Sequence, residues 1–239
     1  MGHTVRIEKK HVQMIAHRGL SGLERENTCA AFVAAGNRSY YGIETDIHKT
    51  KDGQFVVFHD DTTQRLTDLD WVVEERTLVE LRTLRLRDMD GHIRGDLVLP
   101  TLQEYIRICK KYEKTAVLEL KNPFQRKDIV TVVEIIRQEG WLKHTVFISF
   151  DLGNMIHLRK LLPDQPLQYL VKELTEEVQA NLLKYALDLD IKCSGISAAQ
   201  VEQLHSLGRK VNVWTVDDPR SAELLVQIGV DYITTNILE

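Results

Sequence analysis

Four short stretches each close an apolar run: Ala16-His17-Arg18-Gly19, Ile43-Glu44-Thr45-Asp46, Phe58-His59-Asp60 and Leu118-Glu119-Leu120-Lys121. The runs Val12 to Ala16, Gln54 to Phe58 and Thr115 to Leu118 read as strands, so the polar residues fall where strands end. Side by side, those ends would gather three carboxylates, two imidazoles, a guanidinium and an ammonium. Such a set suits a divalent metal, a phosphate and a pair of proton-transfer groups.

Glu44 and Asp46 are two apart on a strand and so share a face. Two carboxylates about 4 Å apart repel by roughly 4 kcal/mol at the effective dielectric near a protein surface. With Glu119 as a third, the group needs protonation or a bound cation. Oxygen-only ligands, with no Cys among them, predict one divalent ion, Mg²⁺ or Ca²⁺, in place of Zn²⁺. His17 and His59 titrate in the neutral range and can serve as base and acid. Arg18 offers a forked donor and Lys121 a movable point charge for phosphate oxygens, the alternative for each being a salt bridge to the same carboxylates. Trp214 ends the strand Val211 to Val216 and faces either the core or the site; periodicity leaves both open. The remaining histidines, His48 among them, read as exposed or loop residues without a role.

These residues need a scaffold that aligns strand ends. From Lys114 onward, strands (Ala116 to Leu120, Val146 to Phe150, Leu167 to Leu170, Ile191 to Ser194, Val211 to Val216, Tyr232 to Thr235) alternate with amphipathic helices. Asp128 is placed to cap a helix stopped by Gly140, Ser197 precedes one stopped by Gly208, and Asp218-Pro219 opens one ended by Gly229. Thr101 to Glu104 forms a capping box. Upstream, Asn27-Thr28 begins a helix that closes at Gly36. With strands at Met14 to Ala16 and Ile43 to Asp46, eight strands of one sense predict an α/β fold, a TIM (β/α)8 barrel, over the competing doubly wound open sheet.

Lys51-Asp52-Gly53 makes Ile43 to Lys49 and Gln54 to His59 an antiparallel β-hairpin. A tight turn at Asp52-Gly53 would set Asp46 opposite His59. The charged stretch from Asp60 to Leu99 lacks alternation and reads as a small insertion lying over the strand ends of one domain spanning 1–239.

With 239 residues, 43% hydrophobic and 28% charged, the chain suits one globular α/β domain. A net charge of -4 and no basic run with interleaved aromatics argue against nucleic acid as a partner. Cys29, Cys109 and Cys193 are odd in number and widely spaced, which predicts buried thiols in a reducing compartment. No apolar stretch approaches the roughly 20 residues of a membrane span, and Met1 to Lys10 reads as neither signal peptide nor acylation signal. The expectation is a cytoplasmic protein without a stable membrane anchor, its oligomeric state open, a homo-oligomer included.

The motif set resembles the glycerophosphodiester phosphodiesterase family: His17-Arg18-Gly19, Arg25-Glu26-Asn27-Thr28, Glu44-Thr45-Asp46, His59-Asp60, Glu119-Leu120-Lys121 and Trp214-Thr215-Val216, in order over about residues 12 to 236. Arg65, Thr67, Pro100-Thr101-Leu102 and Gly229-Val230-Asp231 add to it. The resemblance implies a TIM barrel with an insertion after the His-Asp strand. It implies a metal on Glu44, Asp46 and Glu119, with His17 and His59 as the acid-base pair. Arg18 and Lys121 would bind phosphate, and Trp214 would wall the substrate. A glycerophosphodiester would then be hydrolysed to glycerol 3-phosphate and an alcohol. Arg25 stands where the family has proline, and Thr234-Thr235-Asn236 where it has Thr-Asp. The rival expectations are a lysophospholipase D-like or phospholipase C-like barrel, for which Trp71-Val72-Val73 is the one plausible apolar tip, and a phosphate-binding barrel without turnover.

Overall fold

The computed structural model describes residues 2–239. Eight parallel strands form the sheet: β1 (Gln13–Ala16), β2 (Gly42–Lys49), β4 (Thr115–Leu120), β5 (Thr145–Ser149), β6 (Leu167–Val171), β7 (Asp188–Lys192), β8 (Val211–Trp214) and β9 (Tyr232–Thr235). The hairpin partner β3 (Phe55–Val57) runs antiparallel to the last residues of β2, Ile47 to Lys49. Strand order is β1-β9-β8-β7-β6-β5-β4-β2, and pairing of β1 with β2 closes the ring. The fold is a TIM barrel, and the open sheet is excluded by that closure.

Helices α1 (Cys29–Gly36), α3 (Leu102–Lys111), α4 (Arg126–Gln138), α5 (Leu152–Leu161), α6 (Glu176–Lys184), α7 (Ala198–Ser206) and α8 (Pro219–Ile228) follow strands or the hairpin; the single turn α2 (Leu78–Leu81) lies within 60–99. Their apolar faces pack on the outside of the strands in one large cluster that includes Phe32, Tyr105, Ile129, Leu158, Leu182, Leu204 and Leu225. Inside the barrel a small plug of Ile15, Val117, Val146, Ile148 and Leu170 fills the space below the strand ends. A third cluster joins Val56 and Phe58 to Leu66, Val73, Leu81, Leu84, Leu86, Leu97 and Leu99, so residues 60–99 pack around apolar side chains of their own.

Capping follows sequence chemistry. Thr28 caps α1, Asp218 caps α8 ahead of proline, Gly229 ends α8 at φ 88°, and the Thr101–Glu104 and Ser197–Gln200 boxes are both formed. Three expectations are corrected. Asp128 lies within the first turn of α4, whose cap position is Gln125, and its carboxylate meets Lys49 at 2.9 Å. Strand β7 begins at Asp188, and Cys193–Gly195 is a 3-10 turn; Leu189 and Ile191 face the helices, and Asp190 between them points inward. The hairpin turn takes three residues, Lys51 to Gly53, with Gly53 at φ 76°, so Ile47 faces Val57 and Asp46 faces Phe58.

Candidate active site

Register explains why the carboxylates meet. Asp46 on β2 is the direct neighbour of Glu119 on β4, and Glu44 sits two residues below Asp46 on the same inward face. Each of the three offers an oxygen within 4.8 Å of the others, and all three are buried. Burial and the charge of Asp46, with Glu119 adding, push the Glu44 carboxyl well above its usual range. Burial, with Asp46 next, pushes Glu119 up to about 8. Asp46 goes the other way: burial opposes its charge, but Lys121 and Arg18 outweigh it and hold the carboxyl low. Asn27 also donates to Asp46 at 2.8 Å, its own carbonyl taking the Thr45 hydroxyl at 2.7 Å.

His17 and Arg18 sit on the turn after β1. Arg18 and Gly19 both take left-handed backbone, at φ 53° and 76°. A Cβ on Gly19 would lie 2.7 Å from the Ala31 backbone, so only glycine lets the turn approach α1 this closely. The turn aims the Arg18 N–H at Glu44 (2.8 Å) and sends the guanidinium to Glu26 (2.8 Å) and within 3.6 Å of Asp46. The His17 Nδ1 lies 2.8 Å from Oδ1 of Asn236, just past β9. An amide oxygen only accepts, so Nδ1 carries the proton and Nε2 is left bare. Burial, with Arg18 second, lowers His17 to about 4.

His59 follows β3, and its Nδ1 meets Asp60 at 2.6 Å. Asp60 accepts from Arg65 at 2.5 Å, Arg65 also grips Glu26 at 2.7 Å, and Glu26 holds Arg18. Three ion pairs and the His59–Asp60 hydrogen bond thus tie both imidazole-bearing turns together. Burial and Arg18 lower the His59 value, against the opposing charges of Asp46 and Asp60. Lys121 lies 3.4 Å from Asp46 and 3.0 Å from Glu119; these carboxylates raise it in spite of its burial. Both cations therefore rest on carboxylates. The contact with Lys121 is poorly aligned for a hydrogen bond, and Glu119 Oε1 is left without one.

His17, Arg18, Glu44, His59, Glu119 and Lys121 line one cavity of about 460 Å³, counting its open mouth, and Asp46 lies beside it. Ile148, Phe150, Leu170 and Trp214 form its apolar side, with Trp214 edge-on to Phe150 at 5.6 Å. The open question for Trp214 is settled toward the cavity.

Several site residues escaped the sequence reading. His48 is fully buried on β2, contrary to its exposed assignment, and its Nε2 lies 3.3 Å from the His59 carbonyl, its Nδ1 3.2 Å from Glu74. An isolated imidazole in an otherwise alternating strand carries no sequence signal of this contact. Asp190 lines the cavity from β7, where the misplaced strand start hid its inward facing. Of the thiols only Cys109 is buried; Cys29 and Cys193 are partly exposed, and all three are free. In the expected apolar tip, Val73 is buried and Arg76 covers the Trp71 ring at 4.8 Å, leaving Val72 exposed.

A closed (β/α)8 barrel with acids, imidazoles and cations at the carboxyl ends of its strands defines an enzyme of phosphate-ester chemistry. The model of the glycerophosphoryl diester phosphodiesterase family matches residues 17–239, and the chain belongs to that family. A glycerophosphodiester phosphodiesterase of Caldanaerobacter subterraneus is 29% identical over 93% of this chain and 93% of its own. An Oleispira antarctica phosphodiesterase, solved with the product sn-glycerol-3-phosphate, superposes with a TM-score of 0.84 at 29% identity, covering 94% of this chain and 92% of that one. A Thermotoga maritima glycerophosphodiester phosphodiesterase gives 0.76 at 28% identity, with 95% of each chain covered. Among the described residues no helix is long and apolar enough to cross a membrane.

Proposed function

We propose that this enzyme hydrolyses small glycerophosphodiesters to glycerol 3-phosphate and an alcohol, acting in the cytoplasm with one divalent ion, Mg²⁺ or Ca²⁺. The observation that carries the reading is the buried triad Glu44, Asp46 and Glu119 lining or flanking the same cavity as His17, His59, Arg18 and Lys121. The donor set fits a hard cation: every ligand is a carboxylate, and burial next to Asp46 leaves Glu44 and Glu119 reluctant to ionise without added positive charge. When bound, the ion would neutralise charge on phosphate oxygens and favour ionised carboxylates.

The chain's own groups divide the remaining work. Arg18 and Lys121 draw the phosphodiester toward the triad, each able to turn from a carboxylate to a phosphate oxygen. His17, held neutral with Nε2 bare, takes a proton from the attacking oxygen, either of water directly or of a glycerol hydroxyl whose cyclic phosphate a water then opens. His59 has a carboxylate, Asp60, at Nδ1, which holds the ring and opposes the lowering by burial, and it would protonate the leaving alcohol. Phe150 and Trp214 shield the apolar side of the substrate from water.

The test is release of alcohol from glycerophosphocholine, glycerophosphoethanolamine, glycerophosphoglycerol and a lysophospholipid, with Mg²⁺, Ca²⁺ or chelator. Turnover of the first three with either ion is expected, with none in chelator. His17→Ala or His59→Ala should lower kcat by roughly 10²- to 10⁴-fold with the fold retained. Unchanged turnover in either variant would remove that residue from the acid-base pair.

A further inference from the structure

Inside the barrel, beneath the apolar side of the cavity, lies a layer of polar residues where such barrels ordinarily pack branched apolar side chains. Gln168, Asn212 and Thr234 satisfy one another: the Asn212 amide donates to Gln168 at 3.1 Å, and the Thr234 hydroxyl donates to Asn212 at 3.2 Å. Asp190 shares this level, paired in register with Asn212 on one side and Leu170 on the other. It is 2% exposed, lines the cavity, and its Oδ1 has no hydrogen-bond partner. One strand over, the Trp214 Nε1–H also lines the cavity, is buried, and has no partner. A buried polar atom left unpaired costs on the order of 1–3 kcal/mol. Two such atoms, on neighbouring strands and on residues that line one cavity, point to a ligand that completes them.

The two orphans differ in kind. The indole N–H only donates, so it disfavours an ammonium or other cationic head group. Burial, with the charge of Glu119 next, pushes the Asp190 carboxyl well above its usual range, so it is held neutral, able to accept and to donate, in a layer that resists added charge. A hydroxyl both donates and accepts and brings no charge, so it can complete the carboxyl and the indole N–H alike. We propose that Asp190, together with the Trp214 N–H, hydrogen-bonds a free hydroxyl on one ester arm of the substrate. This makes Asp190 the residue that selects a polyol arm over an alkyl arm of equal length. The inference rests on the phosphodiesterase reading given above and assigns to β7 a share in specificity.

Dissociation constants of sn-glycerol 3-phosphate and n-propyl phosphate, measured by calorimetry with the intact protein and saturating Mg²⁺ or Ca²⁺, test it. The two ligands share a phosphate and a three-carbon chain, and only the first carries hydroxyls. The wild type should prefer glycerol 3-phosphate by roughly 10- to 100-fold. Asp190→Leu should abolish most of that preference by weakening glycerol 3-phosphate while leaving propyl phosphate within about 3-fold. Asp190→Asn, which can still donate and accept, should retain most of it, and Trp214→Phe should lose part. A wild type without preference, or an Asp190→Leu protein that binds ligand with the preference intact, overturns the proposal. Should Asp190→Leu fail to fold, Trp214→Phe and Asp190→Asn decide: an unaltered preference in Trp214→Phe overturns the N–H contact, and full loss in Asp190→Asn overturns the hydroxyl assignment. Turnover of glycerophosphocholine by the wild type is scored separately, so loss of the phosphodiesterase reading and loss of this one are told apart.

Discussion

Asn236 sets the electrical character of His17 by being an amide. A carboxylate at that distance would favour the imidazolium, whereas the amide oxygen merely fixes which nitrogen carries the proton. Asn236→Asp should therefore raise His17 from about 4. If His17 is the base, the acidic limb of the kcat/KM profile should move to higher pH, with little change on the alkaline side. A profile that keeps its acidic limb in this variant would separate His17 from that limb. The sequence displayed Asn236 only as a departure from the family's Thr-Asp, because its contact spans 219 positions. Glu26 and Arg65 stand in the motif set without a role, and only folding shows that they brace both histidine-bearing turns. The eight residues singled out by type all lie at or beside the cavity, since each terminates an apolar run and strand ends have one destination in a barrel.

At the scale of elements, strand and helix identity was legible wherever period and punctuation agreed. The Thr101–Glu104 box is an instance. Both halves form, the backbone N–H of Thr101 reaching Glu104 at 2.8 Å, and they start α3 where Leu102, Tyr105, Ile106 and Cys109 turn inward. Thr101→Ala should cost about 1 kcal/mol, read as a fall of roughly 2–4 °C in Tm. Its KM should stay unchanged, since no residue of α3 lines the cavity. The elements misjudged were those whose limits depend on geometry and not on composition. Whether the 51–53 turn takes two residues or three is decided by Gly53 accepting φ 76°, which shifts every opposing pair by one. Strand β7 was misread because Asp188 and Asp190 look like loop residues, though their alternation with Leu189 and Ile191 is that of a strand with a polar inward face.

The whole molecule carries an electrostatic load at its centre. With Glu119 raised to about 8 from 4.5, the folded protein holds a proton there that the unfolded chain has released at intermediate pH. Without metal, stability should thus fall as pH rises from about 4.5 to about 8, the folded state binding more protons across that window. A cation needs these carboxylates ionised, so metal binding should expel protons in the same range and stabilise most near its upper end. Calorimetric titration of Mg²⁺ or Ca²⁺ at pH 7 in two buffers of different ionisation enthalpy should report net proton release, and thermal melts with and without metal should diverge as pH rises. Buffer-independent heats would show that Glu44 and Glu119 are already charged before metal arrives.

Ring closure has a temporal side. The first strand is bonded to the last, and the imidazole at position 17 is steadied by a side chain at 236. A ribosome making this polypeptide thus emits the earliest reactive group at the outset and its anchor only after more than two hundred further residues have been joined. A chain that still lacks β9 and Asn236 therefore has neither a closed ring nor the side chain that steadies this imidazole.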